Sequence, residues 1–209
     1  MPKNTNSIID WFLKSISFVF HPIIMPVLGT IFYFSKSPRF LPDEVRNAKL
    51  LSLSILTILL PILVYFLLKT LGKTNTIYLK TTKERIIPLF LNSVIILLII
   101  LRVVPSTQII ELYFFFIGIL ISNIVCLILA LLKFKASIHM IAISGIFMFA
   151  IGLSLHFGKN INGSLAIFAI IIGAIATSRL HLKAHTPIEL IFGFFIGLLP
   201  QLIILKYWL

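Results

Sequence analysis

The stretch LYFFFIGILISNIVCLILALL, residues 112–132, carries no charged side chain at any position and decides the class of fold. A hydrocarbon core about 30 Å thick takes about 20 apolar residues of helix, so this run reads as one transmembrane span. Backbone N–H and C=O groups inside a bilayer must be satisfied within the segment, and the chain holds no alternating strand pattern able to close a barrel, which leaves helix. Working outward, comparable runs lie at residues 16–34, 50–71, 86–104, 138–157, 164–177 and 188–205. The expectation is an all-α integral membrane protein, a bundle of six or seven transmembrane helices forming a single membrane domain over residues 1–209.

The first run is the ambiguous one. It carries His21-Pro22 and Met25-Pro26, which predict a kink. Residues 6–20 alternate apolar and polar side chains around Trp11 and Lys14, so that 1–20 reads as a partly interfacial amino-terminal helix leading into the span. No small-residue cleavage pattern follows, so the run is read as a retained span rather than a signal peptide.

Composition agrees with this class. Of 209 residues, 59% are hydrophobic and 11% charged, and the mean hydropathy is +1.12, far from the balance of a soluble domain. The net charge of +12 would suggest nucleic acid in a soluble protein. Here the basic residues fall in short loops such as 35–49 and 72–85, where they meet lipid headgroups, so membrane lipids rather than nucleic acids are the expected partners. The single cysteine, Cys126, lies in an apolar run, excludes an intramolecular disulfide and reads as a small core residue.

Consecutive spans alternate direction, and that brings distant polar clusters to one face. Two spans separate the loop ending at Arg85 from residues 135–139, and two more separate His139 from the stretch SRLHLKAHTPIE at 178–189. An even number of crossings returns the chain to the same surface. Lys80, Lys83, Arg85, Ser137, His139, Ser178, Arg179 and His185 are therefore expected together. Ionisable groups at the edge of a membrane bundle are costly to keep there and mark a site by default.

The residue types suit phosphoryl transfer. Fixed cations bind phosphate oxygens, one imidazole attacks, a second protonates the leaving oxygen, and a carboxylate fixes the tautomer of the attacking ring. Positioned Arg and Lys side chains supply charge stabilisation, and the scheme calls for neither metal nor cofactor.

These residues resemble the type 2 phosphatidic acid phosphatases, a family related in fold to the vanadium haloperoxidases. The family's third motif, SRxxxxxHxxxD followed by a GxxxG helix, is matched by Ser178, Arg179 and His185, then Glu189, Gly193 and Gly197, with glutamate in place of aspartate. The second motif, PSGH, is similar to Ala136-Ser137-Ile138-His139, which keeps the serine and the histidine. The first, KxxxxxxRP, is similar in residue type only to Lys80, Arg85 and Pro88, and Lys83 is an equal candidate for its lysine. The resemblance covers residues 80–200, a phosphatase-like core. It implies that His185 is the nucleophile, Glu189 its orienting carboxylate and His139 the general acid, with Lys80, Arg85, Ser137, Ser178 and Arg179 holding phosphate. The implied protein is a multi-pass lipid phosphatase of the cell (inner) membrane acting on phosphatidate, phosphatidylglycerophosphate or a polyprenyl diphosphate through a phosphohistidine. The alternative is a catalytically inactive homologue that binds lipid headgroups or serves as a scaffold.

Plainer readings stand beside these. Thr186-Pro187-Ile188-Glu189 is a capping box, with Thr186 as N-cap and Pro187 at the first helical position. Ser137 reads equally as the cap of the helix that follows it. Gly193 and Gly197 read equally as a small-xxx-small helix contact. Lys133 and Lys135 read as headgroup anchors, and His21 and His156 as interfacial or packing residues. His181 and His185 lie four apart, but Pro187 and the loop before it oppose one continuous metal-binding helix. A transporter finds no inverted repeat and no charge buried mid-span. The loop charges do not orient the chain: the excess of basic residues on the motif side disappears once Lys80, Lys83, Arg85 and Arg179 are assigned to the site.

Overall fold

Two prolines four residues apart, Pro22 and Pro26, split the first apolar run. Pro22 has no N–H to continue a helix, and Pro26 is placed where the next helix begins, in its first turn, where a missing N–H costs nothing. In the computed structural model, which describes residues 7–72 and 81–209, α1 covers Ser7–Val19 and α2 covers Met25–Lys36. The kinked span expected at 16–34 is therefore two short helices, each below the length needed to cross a bilayer alone. The chain nonetheless passes from one face to the other here: His21 lies beside His139 at one end, and Arg39 contacts Glu111 at the other.

The next helix starts earlier than its apolar run. Asp43 and Glu44 occupy the first turn of α3 (Asp43–Ser54), where carboxylates suit the positive end of the helix dipole. A π turn over Ile55–Leu59 joins α3 to α4 (Leu60–Thr70), making one continuous helix from Asp43 to Thr70. The widened turn falls just before Pro61, whose ring excludes the ordinary bond to the carbonyl four residues back. The remaining helices are α5 (Thr82–Arg102), α6 (Ile110–Leu131), α7 (Ile138–Phe157), α8 (Asn162–His181) and α9 (Pro187–Ile204). Among the described residues six helices are long and apolar enough to cross a membrane, and there is no strand. The chain is a multi-pass, all-α membrane bundle.

Helix α7 is the central one. It packs most extensively against α9, and also meets α8, α2 and α6. The α7–α9 contact is close because glycines form it. A Cβ on Gly193 would come within 2.7 Å of the Ser137 carbonyl oxygen, and one on Gly197 would run into the Ile141 carbonyl and the Ser144 hydroxyl. Helix α5 pairs with α6 partly through polar groups, with Asn123 Nδ2 donating to the Leu89 carbonyl at 2.8 Å and to Ser93 Oγ at 2.7 Å. Such bonds hold helices together where lipid gives no hydrophobic drive.

The face opposite the motif cluster is clasped by a buried carboxylate. Glu111, fully buried, accepts from Arg39 Nε and Nη2, both at 2.8 Å, from Tyr33 Oη at 3.1 Å, and lies 3.1 Å from His156 Nε2. His156, expected as an interfacial or packing residue, packs its ring against Phe157 and Trp208 and in addition reaches Glu111. Glu111→Ala is expected to cost about 2–3 kcal/mol, below the roughly 3–5 kcal/mol of a fully buried pair, because Arg39 is half exposed and can rehydrate. Thermal unfolding in detergent measures it, and an unchanged midpoint would show that the network contributes nothing net.

Candidate functional site

The turn between α8 and α9 carries the core of the site. Lys183, in the left-handed region at φ 49°, turns the chain out of α8, and the Ala184 N–H closes the turn on the Arg179 carbonyl. Thr186 then caps α9, its hydroxyl accepting from the Glu189 N–H at 3.4 Å, while Glu189 Oε2 accepts from the Thr186 N–H at 3.0 Å. The same Oε2 lies 2.8 Å from His185 Nδ1. The capping role and the orienting role of Glu189 coexist on one oxygen, and glutamate has the reach for both. With Nδ1 engaged by Glu189, any second partner of the ring is reached through Nε2.

The second cluster is bound to the first through backbone. The Ser137 N–H donates to the Glu189 carbonyl at 3.1 Å, and Lys135 Nζ donates to the Ala184 carbonyl at 3.0 Å. Arg85, buried near the start of α5, donates from Nη1 to the Ala136 carbonyl at 2.9 Å. Ser137 occupies the N-cap position of α7 without making a side-chain cap bond. Its hydroxyl is fully buried and has no hydrogen-bond partner among the described residues. An unsatisfied buried hydroxyl at a helix start is an arrangement that an anion completes.

Three cations meet around this point. Burial lowers the pKa of Lys135, and the neighbouring Arg85 and Arg179 charges lower it further. His185 is lowered as well, first by burial and then by Arg85 and Lys135, against the opposing pull of Glu189. Lys135 thus belongs to the site and is more than a headgroup anchor. A depression of about 470 Å³ opens beside it, lined by Lys135, Lys183, His185 and Glu189.

The third group of residues is engaged with α1. Ser178 Oγ donates to the Leu13 carbonyl at 2.6 Å, so the 2.7 Å contact between Ser17 and Ser178 has Ser17 as donor, and Arg179 Nη1 donates to Ser17 Oγ at 3.2 Å. Ser178, expected to hold phosphate, faces α1 instead, because its position on α8 lies on the side where α1 docks. His139 Nε2 donates to the Ser17 carbonyl at 3.2 Å, and its ring meets His21 edge-on with centroids 5.5 Å apart. Burial and the Arg179 charge lower the pKa of His21. Asp10 reaches His181 at 2.5 Å and pins the outer end of α1.

The structure therefore brings Arg85, Ser137, His139, Arg179, His185 and Glu189 to one end of the bundle. Lys80 lies outside the described residues. Sequence reasoning missed Ser17 and His21, whose only signal was that a histidine and a proline interrupt an apolar run. No group of three or more metal-ligating side chains occurs among the described residues.

No family model matches this chain, and neither does any curated protein or solved structure.

Proposed function

We propose that the protein is an integral membrane phosphatase that hydrolyses a phosphate monoester or diphosphate of a lipid in the cell (inner) membrane. The observation that carries this reading is the His185–Glu189 pair, held at 2.8 Å inside a cluster of Arg85, Lys135 and Arg179. A carboxylate-oriented imidazole surrounded by cations is matched to an anionic electrophile. Phosphate oxygens take the guanidinium groups, the Ser137 hydroxyl and the start of α7. His185 Nε2 attacks phosphorus, the P–N bond forms, and the P–O bond to the lipid breaks with its oxygen taking a proton from His139. Water then attacks the phosphohistidine, with His139 accepting the proton, and releases phosphate. Glu189 stabilises the imidazolium character that His185 gains in the first step. A site at the end of a bundle receives a headgroup whose tails stay in the bilayer, which favours a lipid over a soluble ester.

The test is to trap the intermediate. Radiolabelled phosphatidate mixed with detergent-purified protein and quenched in alkali should leave label on the chain that acid removes, as phosphohistidine requires. Neither trapped label nor phosphate release from phosphatidate, phosphatidylglycerophosphate or a polyprenyl diphosphate would sink the reading.

The direction of the His185 shift sets the acid side of the pH profile. A lowered pKa means that the ring stays neutral, and so nucleophilic, through the pH near 6.5 at which an ordinary histidine is half protonated. After allowance for the substrate's own titration, kcat/KM is expected to show no acid limb near pH 6.5, where an ordinary histidine would place one, while a fall toward alkaline pH reports loss of the His139 proton. An acid limb at 6.5 or above would show that His185 is not the titrating nucleophile.

One observation favours the alternative, a catalytically inactive protein that binds lipid headgroups. His139 gives its Nε2 proton to the Ser17 carbonyl and is covered by α1, so the proton donor is engaged elsewhere. On that reading affinity for phosphatidate vesicles depends on Arg85 and Arg179 and is indifferent to His185→Ala.

A further inference from the structure

The two histidines of the site are unequally open. His185 lines the depression of about 470 Å³, and His139 does not. The Nε2 proton of His139 goes to the Ser17 carbonyl at 3.2 Å, and Arg179 Nη1 donates to the hydroxyl of the same serine at 3.2 Å. A single residue of α1 therefore holds, with its carbonyl and its hydroxyl, the proton donor and a guanidinium nitrogen on which the chemistry depends. The hold of α1 on the bundle is narrow. Among its described side chains only Leu13 and Ser17 are buried. Packing on the main core comes from Ile16 and, just beyond the helix, Phe20, while nearer the amino-terminal end the contacts are polar, the Leu13 carbonyl with Ser178 and Asp10 with His181. The outward side chains Ile8, Trp11, Phe12 and Phe18 are apolar and exposed, and a helix of this kind rests in the headgroup region whether docked or not. Leaving the bundle thus brings little apolar surface into water. Past α1 the chain runs through turns at residues 20–24, where Pro22 interrupts the helical ladder and provides a place to swing.

We propose that α1 is a displaceable cap over His139 and Arg179, and that the phosphate group of a lipid displaces it by taking Arg179 from Ser17. The role of His139 rests on the phosphatase reading, whereas the movement of α1 is tested apart from it. A phosphate oxygen is a better acceptor for a guanidinium than a serine hydroxyl, because the bond is then assisted by charge on both partners. Since phosphate competes for the Nη1 proton that Ser17 accepts, it binds the displaced arrangement more tightly and shifts α1 toward it. The same displacement releases the Nε2 proton of His139 to the leaving oxygen. Proton donation then waits until phosphate is seated, and the contact that engages His139 is the resting state of a working site.

The first experiment needs no turnover. Ser17→Cys, made together with His185→Ala so that bound lipid stays intact, is placed in nanodiscs of phosphatidylcholine with or without phosphatidate, and alkylation of residue 17 by N-ethylmaleimide is followed by mass spectrometry. The other cysteine, Cys126, is buried and is scored separately. Residue 17 is expected to react severalfold faster when phosphatidate is present, and equal rates would overturn the proposal. A like rise with inorganic phosphate in phosphatidylcholine discs would support the displacement and assign it to the phosphate group without its tails. The second experiment locks the helix. The Ser17 and Ser178 hydroxyl oxygens lie 2.7 Å apart, so Ser17→Cys with Ser178→Cys is placed to bridge α1 to α8 through a disulfide. The bridged protein is expected to release phosphate from phosphatidate at least about a hundredfold more slowly than the same protein after reduction, the lower end of what a general acid supplies. Release at full rate while bridged would refute the cap. If the reduced double variant is itself inactive, the alkylation rates decide. Alkylation that responds to phosphatidate, with no phosphate release by the unaltered protein, would keep the cap and discard the phosphatase.

Discussion

His185→Ala is expected to reduce phosphate release by at least about ten-thousandfold, because removing a covalent nucleophile leaves only what binding and electrostatics provide. The substitution touches little else. The Thr186–Glu189 cap of α9 does not depend on the imidazole, and the Ser137 and Lys135 contacts to this turn go to backbone carbonyls. An unaltered melting temperature together with the loss would therefore assign the effect to chemistry. Glu189→Gln is a milder companion. It can still accept from the Thr186 N–H, but it removes the negative charge that stabilises the imidazolium. Undiminished release by the alanine variant would refute the nucleophile, whereas no release by the unaltered protein, with vesicle binding retained in both variants, would favour the headgroup-binding alternative.

The second large effect is structural. Gly197→Ala is expected to destabilise the bundle by about 2–3 kcal/mol, because the added methyl meets the Ile141 carbonyl oxygen and the Ser144 hydroxyl on α7 and backbone cannot step aside. Gly173→Ala on α8 is the control, since nothing lies within 4 Å of its added carbon, and there alanine's better helix propensity should leave stability level or slightly raised. The Gly197 change should cost activity beyond its effect on the folded fraction. Forcing α9 from α7 lengthens the 3.1 Å bond from the Ser137 N–H to the Glu189 carbonyl, which holds the second cluster against the first. Equal unfolding midpoints for the two variants would show that the α7–α9 contact is looser than drawn here.

How far the sequence could be read depended on the range of the interaction. The long apolar runs reported helices because the bilayer imposes its requirement locally, and the span at 138–157 coincides with α7. The turn at 178–189 was legible for the same reason: His185, Thr186 and Glu189 interact within four residues, so one motif encodes both cap and pair. The crossing parity that gathers Arg85, Ser137, His139 and His185 needed only a count of spans. What stayed hidden was decided by tertiary contact. The pairing of Ser17 with Ser178 and of Asp10 with His181 joins residues more than 160 positions apart, and Glu111 meets Arg39 across 72. Such contacts leave no periodicity. They made Ser178 look like a phosphate ligand and hid the contact of His156 with Glu111. The division of the first apolar run between α1 and α2 was half visible, since the prolines announced a break but not that each half would fall short of the membrane's thickness.

The docking of α1 on the end of α8 has a consequence for how the protein comes to exist. Helix α1 precedes α7 and α8 in the chain, and the carbonyls and hydroxyls it offers find their partners only on those later helices. Its outward side chains, Trp11, Phe12 and Phe18 among them, stay exposed even in the docked helix, and the headgroup region is where such a helix rests. Biogenesis thus has an obligatory order. The long helices that follow enter the bilayer while α1 rests at the surface, and only when α8 is in place can α1 move across to close over His139.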